Sequence, residues 1–217
     1  PNEWYLDRES GMVYYIPRDD SQTADSIRAY APVAEKFFEI KGEYDDRVQY
    51  IHLKNLSFAY TKGDYKYVLD GEEYACGGQG LHSAHGSIEF EFAHGCSVEN
   101  CTLFCFGVHG IIIGDGCNSI RIKGNSMRNG GASGIKVDGA GYGREPDRNT
   151  YGIELSYNLI TACGGRYAAA CGMLVKNAFD TVIAHNEISH MNYTGISCGW
   201  TWGYSDCIAC NILIEKN

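Results

Sequence analysis

Three short runs of this 217-residue chain carry charged side chains at the spacing of one strand face. "GSIEFEF" holds Glu89 and Glu91, "GIKVDG" holds Lys136 and Asp138, and "GMLVKN" places Lys176 after its apolar part. In an extended strand, residues two apart share a face and lie roughly 6.5–7 Å from each other. Two carboxylates at that separation can divide the work of inverting glycoside hydrolysis, one protonating the leaving oxygen while the other activates water. A solvated strand face is the commoner origin of such a pair. Asp138, beside Lys136 and upstream of Arg144 and Arg148, opens an inserted loop. Insertions on one face of a repeat array usually build its binding site. A fourth run, "GISCGWTWGYSD", sets Trp200, Trp202 and Tyr204 among glycines that argue against a packed helix or strand.

The elements that must position these residues form a repeat. Glycines open successive units at Gly86, Gly110, Gly134, Gly172 and Gly195, in steps of 24, 24, 38 and 23 residues. Each glycine leads into a short alternating apolar strand, a turn, and a second apolar stretch anchored at Cys101, Asn125, Asn158, Asn186 and Asn211. The long step carries its extra residues in "GAGYGREPDRNT" and "GGRYA". A unit of this length, built from short β runs without helical periodicity, is one coil of a parallel β-helix. Leucine-rich repeats share the length, but their leucine consensus is missing. The asparagine column has a physical reason, since Asn tolerates turn conformations and stacked side-chain amides can bond from coil to coil. "FFEIKG" and "VQYIHLKNLSFAYT" form an earlier coil, with residues 59–80 as a long excursion. The N-terminal residues 1–30 read as a hairpin turning at Glu9-Ser10-Gly11, and 31–217 as the β-helix domain. Its last coil reaches Asn217 without the polar cap that solenoids need, so the chain is expected to be a segment of a longer protein.

Strand alternation sorts the side chains of each opening strand. Ile88, Phe90, Ile111, Ile113, Ile135, Val137, Met173, Val175, Ile196 and Cys198 are expected to stack inward. Glu89, Glu91, Ile112, Gly114, Lys136, Asp138, Leu174, Lys176, Ser197 and Gly199 are expected to face outward, on coils about 4.8 Å apart. The tryptophans follow directly on this outward face. Exposed aromatics beside carboxylates suit sugar rings, whose C–H faces pack on π-faces; the alternative is that Trp200 and Trp202 plug the solenoid or cover a loop. His85 and His109 each precede a coil-opening glycine and read as structural histidines stacked in one corner, as does His185 in its turn.

Composition removes other classes. A net charge of −9 and an isoelectric point near 5.2 argue against a surface that tracks nucleic-acid phosphates. No apolar run is long enough to span a membrane. Ten cysteines include a lone Cys207–Cys210 CxxC but no four-ligand zinc pattern, so buried free thiols are expected and no metal site is assigned. "GAGYG" lacks the dinucleotide-binding spacing, and no G-x-S-x-G is present.

The runs "EWYLDRESGMVYYIP", "GGRYAAACG", "AHNEISHMNYTGIS" and above all "TGISCGWTWGY" resemble the right-handed parallel β-helix glycoside hydrolases related to glycoside hydrolase family 141. The resemblance covers essentially the whole chain. It implies a carbohydrate-active enzyme on plant cell-wall or similar glycans, with fucosidase- and xylanase-type activities in the group, mostly from bacteria and exported. It supports Trp200, Trp202, Tyr204, Tyr193 and Arg166 as residues lining the site. Two departures matter. Members usually read "HNEIHD" or "HNDIHD" where this chain has "HNEISH", so His190 stands in place of an acid. Members also continue past the Asn217 equivalent into an Asp-Met-Gly-Gly-type segment.

The combined reading is an all-β, right-handed parallel β-helix glycoside hydrolase, extracellular or periplasmic, that takes an oligo- or polysaccharide and needs no cofactor. Its groove would follow the outward faces of the Gly134, Gly172 and Gly195 coils. Candidate catalytic residues are Asp138, His190, Glu89 and Glu91, while Lys136, Lys176 and Arg166 would hold hydroxyls or a uronate and the aromatic run would stack a sugar. The rivals are a polysaccharide lyase on the same fold, with Lys136 or Lys176 as base and Ca²⁺ neutralising the uronate, and a non-catalytic glycan-binding β-helix.

Overall fold

The computed structural model describes residues 2–63, 65–74, 77–200 and 203–217, with 67–69 as backbone. The chain divides into two units, Pro1–Ala31 and Pro32–Asn217. In the first, Glu3–Asp7 pairs antiparallel with Met12–Ile16. Asp7 closes the turn by accepting the Gly11 amide on its carbonyl and the Glu9 amide on its side chain.

The second unit is a parallel β-helix. Six strands, Phe38–Lys41, Gly86–Glu91, His109–Ile113, Ile135–Asp138, Met173–Lys176 and Ile196–Gly199, pair in sequence order as the first sheet. The second sheet takes His52–Lys54, Ser97–Glu99, Arg121–Lys123, Thr150–Ser156, Ala178–Ala184 and Ile212–Glu215. The third takes Ser57–Ala59, Thr102–Phe104, Ser126–Arg128, Leu159–Thr161 and Glu187–Ser189. Every pairing within these sheets is parallel, so each coil visits first, second and third sheet in turn. The β-helix expected from the glycine-led repeat is therefore the observed architecture.

Inside, the predicted inward set forms one continuous core: Ile88, Ile111, Ile113, Ile135, Val137 and Met173 are solvent-inaccessible. Buried cysteines 96, 101, 117 and 163 fill it as small apolar groups. An asparagine ladder runs along the turn between the second and third sheets. Asn125, Asn158 and Asn186 each donate Nδ2 to the next asparagine's Oδ1, at 3.0, 3.0 and 2.8 Å, and the last acceptor is Asn217.

That ladder corrects one anchor. Asn211, assigned to the last rung from the repeat, instead lies before the Ile212–Glu215 strand and bonds Asp180. The last coil carries its insertion between its first- and second-sheet strands, which pushes the rung to Asn217. The signal was present: "IRIKGN", "IELSYN" and "ILIEKN" share one register ending on the ladder residue.

A second correction concerns the outward face. Ile112, Lys136 and Leu174 lie outside the inner core, as expected, yet are 8%, 4% and 0% exposed. The excursion after the first coil folds back across them. Leu81 and Ala84 pack with Val108, Ala132, Tyr167 and Ala170 in a separate apolar cluster. Gly80 N–H bonds Ala169 O at 2.9 Å, directly above the Leu174 side chain. Amphipathic alternation predicts a strand's two faces but not what a distant loop lays over one of them.

Candidate functional site on the first sheet

In-register parallel pairing lines up two outward rows on the first sheet. One row reads Glu39, Glu89, Ile112, Lys136, Leu174 and Ser197; the other includes Lys41 beside Glu91, and Asp138 beside Lys176 and Gly199. Asp138 and Lys176 are cross-strand neighbours, and their charged groups meet at 3.0 Å. Lys136, two residues before Asp138 on the same face, reaches the other carboxylate oxygen at 3.5 Å.

The two lysines differ in what else they hold. Lys136 donates to the His82 and Ala84 carbonyls at 2.8 and 2.9 Å, so it pins the covering segment to the sheet. Its expected role of holding substrate hydroxyls is corrected on that ground, because its ammonium is already surrounded and buried. Burial pushes its pKa down, Asp138 works against that, and Lys176 adds repulsion. Lys176 lies under the Trp200 ring, 5.0 Å from its centroid, an ordinary cation–π distance. His82 flanks the same ring at 5.6 Å. Burial lowers the His82 pKa first and the Lys176 charge lowers it further.

Trp200 is therefore a wall of this cluster and a contact of its cover at once. It is half-buried, with its ring edge close to Gly80. Its φ of 71° is a strained value for a bulky side chain, held by those contacts. Trp202 lies outside the described residues. Tyr204 is fully exposed.

Toward the first coil, the face opens into a 380 Å³ cavity bordered by Lys36, His85, Glu89, Glu91, Asp115 and Lys136. Glu89 is bound by Lys36 and by the Gly86 amide, the latter at 2.6 Å, while Lys41 meets Glu91 at 2.7 Å. The i, i+2 glutamates expected to work together are thus each tied to a separate lysine. A different pairing emerges across strands. Glu91 and Asp138 occupy one row on either side of Gly114, so two strand spacings, about 9.6 Å, separate their backbones. Gly114 contributes no side chain to that gap, and Glu91 Cγ lies 4.0 Å from where its Cβ would stand. Asp115, next in the chain, is held by Arg148. The sequence did not single out Asp115, Lys36 or His82. Gly114 alone carried a signal, as the position where the outward row loses its side chain.

The remaining predicted residues are not gathered here. His190 is exposed in a turn that precedes the Ile196–Gly199 strand, at the sheet edge opposite Asp138, with Thr161 Oγ1 at 3.5 Å. Arg166 is exposed over the Tyr167 ring and borders a separate 470 Å³ cleft made largely of Gly63, Gly107, Gly130 and Gly131. Tyr193 accepts a hydrogen bond from Gln79 Nε2 at 2.8 Å, beside the covering segment. Among the described residues, no three His, Cys, Asp or Glu side chains gather as a metal site.

No family model and no curated protein matches the chain. A solved structure described as a glycoside hydrolase is similar to it, with a TM-score of 0.75 at 19% identity over 94% of this chain. At that identity the likeness establishes the shared fold. The chain spans 40% of the length of that neighbour.

Proposed function

We propose that this chain belongs to a carbohydrate-active enzyme that hydrolyses glycosidic bonds on the outward face of its first sheet. One observation carries the reading: Glu91 and Asp138 flank the side-chain-free Gly114 beside an open cavity. A row separation of about 9.6 Å between backbones lies close to the upper end of the roughly 6.5–9.5 Å that leaves room for a water between two carboxyl groups. In the inverting sequence, one carboxyl gives its proton to the leaving glycosidic oxygen as that C–O bond breaks. The other takes a proton from water as the water oxygen bonds the anomeric carbon from the opposite face. In this reading Lys176, paired with Asp138, would bind a sugar's oxygens and Trp200 would pack on its C–H face. The glycoside hydrolase neighbour supports the substrate class, and plant cell-wall glycans are the finer proposal.

The test is reducing-sugar release from xylan, xyloglucan and pectin, with the anomer of the first product followed by proton NMR. Inversion is expected, with Glu91→Gln and Asp138→Asn each lowering kcat by roughly 10²–10⁴-fold. The variant at the acid position should keep more activity on aryl glycosides whose leaving group needs no proton. An ultraviolet-absorbing unsaturated product from pectin would replace hydrolysis with lyase chemistry. Glycan retention without any turnover would make the face a binding surface.

A further inference from the structure

On the second sheet, away from the outward face of the first, a trough of 340 Å³ crosses four coils. Its polar lining runs from His52 through Ser97 and Glu99 to Arg121 and Glu154. Adjacent coils are about 4.8 Å apart, so it extends roughly 14 Å along the helix axis. Its concavity comes from small residues at the sheet edge: Gly95 at φ 63°, Ser119, and Gly152 at φ 65°.

The lining is organised. His52 Nδ1 meets Ser97 Oγ at 2.8 Å, Arg121 Nε donates to Glu154 at 2.8 Å, and Ser156 Oγ donates to Glu154 at 2.7 Å. Lys54 stands 3.3 Å from Glu99. The Ser97 hydroxyl holds Glu99 below the usual carboxylate range. For Glu154, burial pushes up, but Ser156 and Arg121 outweigh it. Both are fixed acceptors with spare lone pairs, and among the described hydrogen bonds Arg121 uses only Nε, leaving further N–H donors.

Two exposed aromatic residues adjoin lining residues, Tyr50 against Gly95 and Tyr151 next in the chain to Gly152. Tyr50, 64% exposed, lies against Gly95, its Cε1 2.7 Å from where a Cβ would stand, so any side chain there would displace the ring. Tyr151, 38% exposed, stacks on Phe179 with centroids 5.1 Å apart and planes 9° from parallel. Exposed rings beside convergent donors and acceptors are features that recognise pyranose units. Of the ionised side chains on the floor, two are carboxylates and one is a guanidinium, which disfavours a uronate.

We infer that this trough is a second glycan-binding site, taking a neutral oligosaccharide of two or three residues laid along the helix axis. It shares only its ligand class with the proposed function and does not need the first sheet to be catalytic.

Affinity electrophoresis in gels containing arabinoxylan, glucomannan, mixed-linkage β-glucan or polygalacturonate tests it. Calorimetric titration with the trisaccharide of whichever neutral glycan retards the protein follows. At least one neutral glycan should retard the wild-type chain. Tyr151→Ala and Arg121→Met should each weaken trisaccharide binding about tenfold, while Asp138→Asn retains it. Tyr50→Ala guards against misfolding in either variant, because Tyr50 is a surface ring whose loss leaves the sheet intact. Retention lost only in the trough variants upholds the site even if no glycan is hydrolysed. No retardation by any neutral glycan, retardation by polygalacturonate alone, or retention that survives all three trough variants overturns it, whatever the first sheet does.

Discussion

Acid should loosen this fold through one buried histidine. His109 is completely inaccessible, its Nε2 lies 2.9 Å from Leu81 O, and its Nδ1 is 3.2 Å from the Ser133 amide nitrogen. The amide must donate, so Nδ1 accepts and Nε2 carries the only ring proton. Protonation would place a second N–H against that amide. Burial holds the His109 pKa well below its ordinary value, and the nearby Lys136 ammonium lowers it further against the pull of the Leu81 carbonyl. The sign follows from proton counting. Below about pH 6.5 the unfolded chain binds a proton at this residue while the folded chain does not, so stability falls as pH falls, by about 1.4 kcal/mol per unit. The loss accumulates for as long as the folded-state histidine stays neutral, against a typical total of about 5–15 kcal/mol. His82, also lowered, adds a smaller loss of the same sign. The lowered carboxylates Glu39, Glu99 and Glu154 contribute only nearer their own range, below about pH 4.5. Urea unfolding at intervals from pH 7.5 to 4.8 measures the slope, and His109→Gln should flatten it by about one proton. Equal slopes in variant and wild type would refute the reasoning. Because His109 holds Leu81, the covering segment should be the first region to gain amide exchange.

Asn158→Ala removes a residue that donates to Ile122 O and Asn186 Oδ1 and accepts from the Asn125 amide and side chain. It should cost about 2–5 kcal/mol and lower Tm by on the order of 10 °C, whereas Asn211→Gly should change Tm little. Lys136→Met strips the donor from the His82 and Ala84 carbonyls. The loss should reach about 3–5 kcal/mol, with new protease cleavage in residues 77–85 under limited digestion. Burial pushes the Cys117 thiol up to about 12 and Cys163 up to about 11, while Cys207 and Cys210 are exposed. At pH 8, alkylation mapped by mass spectrometry should label Cys207 and Cys210 in the native protein and the buried pair only after denaturation.

The repeat was legible because a solenoid is nearly one-dimensional: each coil contacts only its neighbours, so periodic local pattern and global fold coincide. Ile88, Ile111, Ile135 and Met173 could be placed inside from alternation alone, and an asparagine rung could be anticipated from the chemistry of stacked amides. Asp138 beside Lys176 was equally visible, since parallel pairing of equivalent strands carries register directly into contact. Where the pattern was interrupted, inference failed in proportion. The insertion in the last coil moved the rung from Asn211 to Asn217. His190 and Arg166 went to other edges of the helix because turn residues carry no periodic constraint on direction.

Composition and period determined that this chain coils, which side chains fill the coil, and which charges share a face. Tertiary structure alone decided that residues 77–85 return to cover that face. It turned Lys136 from a solvent-facing cation into a buried clasp, and it set Trp200 against both Lys176 and the cover. The physical reason is the difference between the two kinds of contact. Coil-on-coil contacts repeat with the sequence, whereas the excursion is a non-repeating loop whose partners follow no period, 28 residues away for Leu81 and His109 and 52 for Ala84 and Lys136.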